Sequence, residues 1–216
     1  MPARTEHAPG TPSWVDLQTS DTAAAKSFYS ALYGWEFEDL PVGNDADGNP
    51  AFYSMARKNG KDVAAVAGLP MPGIPPHWNT YVTVSDVDAT AAQVAGAGGT
   101  VIMDAFDVMD AGRMAVVADP TGAMINLWTP KNSIGAQLVN EHGTLSWNEL
   151  MSPDVAAARE NPALRMISTA AAGLSQAPRP ASEAILRRMP TTPSAMTKWT
   201  SWGWNSPMFG IAVFPY

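Results

Sequence analysis

The sequence contains no cysteine, which excludes disulfide staples, thiolate metal sites and a cysteine nucleophile. It contains no apolar run of about 18 residues, the length a membrane-spanning helix needs. The opening MPARTEHAPGTP lacks the apolar stretch of a secretory signal, so the expected setting is cytoplasmic, with no membrane partner. Basic residues are scarce: 13 Lys and Arg stand against 20 Asp and Glu, for a net charge of -7. Phosphate backbones require clustered cations, so a nucleic-acid partner is excluded. Ser-His-Asp spacing, a GxSxG elbow, a P-loop and a dinucleotide fingerprint are also missing. What is there is globular: 216 residues, 46% hydrophobic, with 8 Trp, enough to bury the core of one large domain or two small ones.

An internal repeat organises the chain. Laid over residues 10 to 27, residues 143 to 160 match at Gly, Thr, Ser, Trp, Leu, Asp and three Ala, with Glu149 over Asp16 and Arg159 over Lys26. A period of this length is too long for a solenoid and suits a duplicated domain. The copies part at one place, where Phe28 and Tyr29 of the first meet Asn161 and Pro162 of the second.

Within the first copy, SWVDLQ alternates like a strand. Ser20 or Asp21 offers an N-cap to TAAAKSFYSALYGW, whose Ala25, Phe28, Tyr29, Leu32 and Tyr33 recur at helical spacing until Gly34 ends it. Short strands follow around residues 35 to 38, 51 to 57 and 62 to 67, separated by GNDADGNP and KNGK. After the link PMPGIPPHW the pattern restarts: strand WNTYVTVS, helix DVDATAAQVAGAGG, then strands TVIMDAFDV, RMAVVAD and AMINLWT around the turn DPTG. Residues 10 to 130 therefore read as two βαβββ units.

Strand alternation predicts which side chains share a face. Val15 and Leu17 oppose Trp14, Asp16 and Gln18; Thr80, Val82 and Val84 oppose Asn79, Tyr81 and Thr83; Ile125 and Leu127 oppose Met124, Asn126 and Trp128. The aliphatic face should cover the helices. The polar and aromatic face should form the concave side of a curved sheet, with a lining suited to a small organic molecule. Half-solvated sheet surface, or a dimer interface, is the competing reading.

The helix segment FYSALYGW, the segment WNTYVTVSDVDATAAQVAGAGG and the segment GRMAVVADPTGAMINLW together resemble the vicinal oxygen chelate superfamily, the glyoxalase, bleomycin-resistance and extradiol-dioxygenase group. The chain is most similar to tandem glyoxalase-like proteins of actinobacteria, over residues 10 to 160. The resemblance implies an α+β fold in which paired βαβββ units form a cupped eight-stranded mixed sheet around a ligand or metal. It also implies metal ligands at the positions of Trp14, Asn79 and Asn126, where metal-dependent members carry His, His or a similar ligand, and Glu. An indole cannot coordinate and a neutral amide is weak beside imidazole or carboxylate. No metal ligand is therefore expected and no cofactor is predicted; a divalent metal is disfavoured, and Trp147 in the second copy does not restore a ligand.

Trp14, Asp16, Asn79, Tyr81, Met124, Asn126 and Trp128 are the expected ligand-binding residues. Asp16 and His77 are the candidate catalytic groups, the first as a general base with a pKa raised by burial, the second as an acid or base at the cavity mouth. The favoured roles are orientation of a ligand by Asp16 and capping of a turn by His77. Glu141, His142 and Glu149 could form a metal group, but adjacent residues on an extended chain point apart. Arg113 is expected to pair with Asp104, Asp107 or Asp110.

The expected domains are a glyoxalase-like module over 10 to 130, a linker over 131 to 142, the start of a second module over 143 to 160 and an atypical tail over 161 to 216. Asn161 and Pro162 cut short the helix expected from Asp154. From there on charge reverses, with five Lys and Arg against Glu183 alone, and residues 161 to 216 hold seven prolines. The reading taken is a module disrupted near residue 161, followed by a foreign, poorly ordered tail. The alternative is an evolved extension in which Trp199, Trp202 and Trp204 cover a sheet. The orphan strand and helix should dock on the first module or on a second chain, giving a homodimer. The functional expectation is a glyoxalase-like protein that binds a small organic molecule without a catalytic metal. The alternatives are a metal-dependent lyase, isomerase or dioxygenase-like enzyme, and a non-catalytic interaction protein.

Overall fold

A computed structural model describes residues 3 to 45, 48 to 150 and, as backbone alone, 209 to 212. Strands β1 (Pro12–Thr19), β2 (Glu36–Asn44), β3 (Pro50–Lys58) and β4 (Lys61–Gly68) surround helix α1 (Thr22–Tyr33) in sequence. Strands β5 (His77–Thr83), β6 (Thr100–Val108), β7 (Gly112–Ala118) and β8 (Met124–Pro130) repeat the pattern around α2 (Val87–Val94), which runs on into a short 3-10 turn. All eight strands form one sheet in the order β2-β3-β4-β1-β5-β8-β7-β6. This is the expected α+β arrangement. In each unit the helix carries the chain from the centre of the sheet to its edge, and two hairpins bring it back until the last strand lies parallel to the first, β4 to β1 and β8 to β5. The two units meet through the antiparallel pair β1 and β5.

Local chemistry sets the helix ends. Asp21 caps α1 by accepting the Ala24 N–H at 2.8 Å, and Asp86 caps α2 through the Ala89 N–H at 3.0 Å. Gly34, at φ 69°, closes α1 with its N–H on the Ser30 carbonyl. The DPTG turn is held by one carboxylate oxygen. Asp119 Oδ1 accepts the Thr121 N–H, the Thr121 hydroxyl and the Ala123 N–H, all within 2.9 Å.

Both helices lie on the aliphatic face, and each unit has its own core there. One gathers Val15, Trp35, Val63, Leu138 and Leu145 against Tyr29 and Tyr33; the other gathers Val82, Val87, Val94, Val117, Ile125 and Leu127. Burying each such aliphatic side chain contributes roughly 1.5–3 kcal/mol. A net backbone hydrogen bond contributes roughly 0.5–1.5 kcal/mol, so the helix-side packing fixes which face of each strand points inward.

The helical spacing of Ala25, Phe28, Tyr29, Leu32 and Tyr33 would set Phe28 and Tyr29 together on the apolar stripe of α1. Phe28 and Tyr29 do not pack on the sheet as a pair. Tyr29 stacks on Trp35 at 5.4 Å and meets Trp78 edge-on at 5.5 Å, while Phe28 is 58% exposed and stands edge-to-face with the Tyr29 ring. Neighbouring helical residues point about 100° apart, so only one of two adjacent aromatics can face the sheet.

The segment after β8 is packed into the module. Ala136, Leu138 and Leu145 are buried, the Ala136 N–H donates to the Ser13 carbonyl and the Gln137 N–H to the Asp62 carbonyl. Beyond it, β9 (Trp147–Leu150) reaches β5. Asn148 accepts the Thr80 hydroxyl of β5 at 3.0 Å, and β9 pairs antiparallel with β10 (Phe209–Ala212). The helix expected from Asp154 and the tail from residue 161, except the backbone of β10, lie outside the described residues.

Candidate functional site

The sheet face without helices brings the predicted residues together. Three register pairs lay them side by side: Asp16 opposite Asn79, Trp14 opposite Tyr81, and Tyr81 opposite Asn126. Two-residue periodicity then places Gln18, His77, Met124 and Trp128 on the same face.

Asp16 is the centre, at 1% exposure. The Tyr81 and Tyr53 hydroxyls donate to its Oδ2 at 2.7 and 3.0 Å, and the Asn79 amide donates to its Oδ1 at 2.8 Å. The Trp14 indole N–H donates in turn to the Tyr53 oxygen at 2.8 Å. Burial pushes the Asp16 carboxyl above its ordinary 3.8, and the hydrogen bonds from Tyr81, Asn79 and Tyr53, with His77 nearby, pull it part of the way back. Burial also drives the Tyr53 and Tyr81 phenols well above 10, and the charge of Asp16 reinforces this.

An apolar margin surrounds this polar centre. Met124 and Met103 are half exposed, Phe106 and Leu40 somewhat less, and the buried Trp128 ring stands edge-on to Tyr81 at 6.3 Å. Met103 and Phe106 reach the same face because β6 pairs them with Val116 and Met114 of β7, which lie beside Asn126 and Trp128 of β8. Trp128 donates its indole N–H to the Ser133 carbonyl at 3.0 Å. Its ring also lies where a side chain on Gly112 would be, so glycine is what lets the indole lie down at the start of β7. At the other end Ala136 closes against Trp14 and Ala65.

Tyr53, Met103 and Phe106 were missed by sequence reasoning. Phe52 and Tyr53 are adjacent aromatics on β3, so alternation alone does not say which one lies on the helix-free face. The register Leu40 to Tyr53 and the bond to Asp16 decide it. His77 lies on the face at its edge, opposite Gln18, with Nδ1 on the Pro75 carbonyl at 2.9 Å. That is the turn-capping role.

The donor set does not suit a divalent cation. Both Asp16 oxygens already accept hydrogen bonds, Asn79 and Asn126 offer neutral amides, and Trp14 uses its N–H on Tyr53. Among the described residues, no three His, Asp or Glu side chains gather as a metal would need. His142 instead faces the Lys58 ammonium at 3.3 Å. Arg113 pairs with Asp107, one of the three carboxylates expected, and also with Asp88, which was not expected. It forks onto Asp88 of α2 at 2.6 and 2.7 Å and reaches Asp107 at 3.4 Å. Asp104 is not a partner, and Asp110 accepts from Asn132. The helix partner was invisible because strand spacing does not say where α2 crosses. A cavity of about 470 Å³ lies elsewhere, between residues 4 to 12, the segment 139 to 146 and β9; none of the predicted ligand residues lines it.

Comparison with known proteins agrees with this architecture. The sequence profile of the Glyoxalase/Bleomycin resistance protein/Dioxygenase superfamily matches residues 11–127. The chain is 54% identical over 163 residues to the "Putative glyoxylase CFP32" of Mycobacterium bovis, covering 73% of this chain and 61% of that protein. It is 37% identical over 169 residues to the "Anthracycline biosynthesis protein DauV" of Streptomyces sp., covering 72% of this chain and 60% of that one. The chain thus spans about three fifths of the length of the curated relatives it matches. Among solved structures, homoprotocatechuate 2,3-dioxygenase from Brevibacterium fuscum, in complex with 3,4-dihydroxyphenylacetate, superposes with a TM-score of 0.52 at 17% identity, over 77% of this chain and 53% of that one. That likeness is one of fold.

Proposed function

Because the chain belongs to the glyoxalase/bleomycin resistance protein/dioxygenase superfamily, we propose that its helix-free face binds a small organic molecule without a catalytic metal. The observation that carries this reading is the union of a buried, hydrogen-bonded polar centre at Asp16 with an exposed apolar margin of Met103, Phe106 and Met124. Exposed methionines adapt their shape to a flat apolar body, and a few fixed polar groups at the base orient it. A carboxylate already engaged by two phenols and an amide serves better to position groups than to hold a cation or attack a substrate.

The Streptomyces relative is named for anthracycline biosynthesis, so flat polycyclic aromatics are the first probes. A ligand selective for the native state at a hundred times its Kd stabilises by about 2.7 kcal/mol. The expected outcome is a raised melting temperature and quenching of tryptophan fluorescence, both lost in Trp14→Ala. Elemental analysis of the purified protein tests the other half of the reading, and a stoichiometric divalent metal would overturn it.

A further inference from the structure

The hydrogen-bond polarity of the cup follows from one side chain, on the premise that the helix-free face is the ligand site. An ionised carboxylate only accepts, and a phenol has a single O–H to give. Tyr53 and Tyr81 both give theirs to Asp16, and Asn79 gives one of its amide protons. What the two phenols keep is acceptor capacity alone, and Asn79 keeps its carbonyl oxygen and one N–H. The Tyr53 oxygen is met by the Trp14 N–H. The Tyr81 oxygen is met by the Asn126 amide and keeps one further lone pair, and no described residue donates to the Asn79 carbonyl oxygen.

Charge points the same way. No Lys or Arg of the described residues pairs with Asp16; the ion pairs of this half, Lys26 with Asp39 and Arg57 with Glu38 and Asp62, sit on other carboxylates. His77 sits at the edge of the face, opposite Gln18, with its Nδ1 on the Pro75 carbonyl. An anion entering the cup would meet a buried carboxylate without a compensating cation, in a medium where like charges repel far more strongly than in water.

We propose that the cup takes uncharged ring compounds that donate a hydrogen bond, such as phenols, enols or ring N–H groups, to Tyr81 and Asn79, and that it discriminates against carboxylates and other anions. Asp16 is the positioning residue. It turns both phenolic O–H groups and one Asn79 N–H inward, and so leaves the ligand the acceptor oxygens of Tyr81 and Asn79.

The test is a matched trio of one ring size, naphthol, methyl naphthyl ether and naphthoate, titrated at neutral pH against the tryptophan fluorescence of the whole chain. Naphthol should bind at least tenfold more tightly than the ether, about the worth of one hydrogen bond, and naphthoate weakest of the three. In Asp16→Asn the new amide donates to a phenol oxygen and frees a phenolic O–H for the ligand. The preference for naphthol over the ether should then collapse and naphthoate should gain at least tenfold. Tyr81→Phe, which keeps the ring, should cost naphthol about tenfold and leave the ether unchanged. An ether bound as tightly as naphthol, or naphthoate bound most tightly, overturns the polarity argument while leaving the cup as the ligand site. Binding of none of the three, or binding unaffected by Trp14→Ala, removes the cup as the site and the inference with it.

Discussion

Asp16 is ionised only at a cost to the fold, and that cost has a definite pH dependence. Burial raises its pKa in the folded chain above the 3.8 of the unfolded one. A raised folded pKa means that the stability linked to this group is fully present below about pH 3.8 and declines as pH climbs through the folded value, after which it is constant. Asp16→Asn has the same shape and no titration. The stability difference between the native chain and Asp16→Asn, from urea melts at a series of pH values, should favour the native chain most in acid and shrink toward neutrality. A difference that grows with pH would mean that the three donors outweigh burial. Trp14, Asp16, Asn79, Tyr81 and Asn126 were legible as neighbours because period-two alternation on β1, β5 and β8 is unbroken. Tyr53 was not, because its neighbour Phe52 is equally aromatic and only the register of β3 separates them.

Helix α1 shows how an element is read correctly in extent and wrongly in detail. Its cap at Asp21, its end at Gly34 and its apolar spacing are written in the sequence, yet the stripe is wider than the surface it covers. Tyr29 packs among Tyr33, Trp35 and Trp78, whereas Phe28 is 58% exposed and Leu32 is 47% exposed. Removing Tyr29 opens a cavity beneath the helix; removing Phe28 takes a ring largely from water. Tyr29→Ala should therefore cost about 3–5 kcal/mol, and Phe28→Ala about 1 kcal/mol or less. Chemical denaturation of the two variants decides between this asymmetry and the equal burial that helical spacing alone implies. Equal losses would show that Phe28 is covered in solution by something the described residues do not include.

At the scale of the molecule, two units with separate helix-side cores share one continuous sheet, and the seam is the pair β1 and β5. The seam is reinforced from outside. The segment after β8 crosses to the first unit through Ala136 on Ser13 and Gln137 on Asp62, and the buried Trp35 indole donates to the Gly143 carbonyl at 2.8 Å. These contacts join residues far apart in sequence, 108 positions for Trp35 and Gly143, and no local pattern announces them, which is why residues 131 to 142 read as a linker. Protection from hydrogen exchange should follow this arrangement rather than the duplicated pattern. Amides of β1, β4, β5 and β8, buried between neighbours on both sides, should open only with the whole fold, while β2 and β6, exposed along the two sheet edges, should exchange early. Thermal unfolding should accordingly be a single transition, since neither unit can leave without stripping the partner of a central strand. Two transitions, or exchange in β5 to β8 at rates unlike those of β1 to β4, would show instead that the units are independent and the seam weak. Trp35→Phe tests the brace directly. It keeps the aromatic body, leaves the Gly143 carbonyl without its donor, and should lower the global stability by about 1–3 kcal/mol with a matching loss of protection in both units.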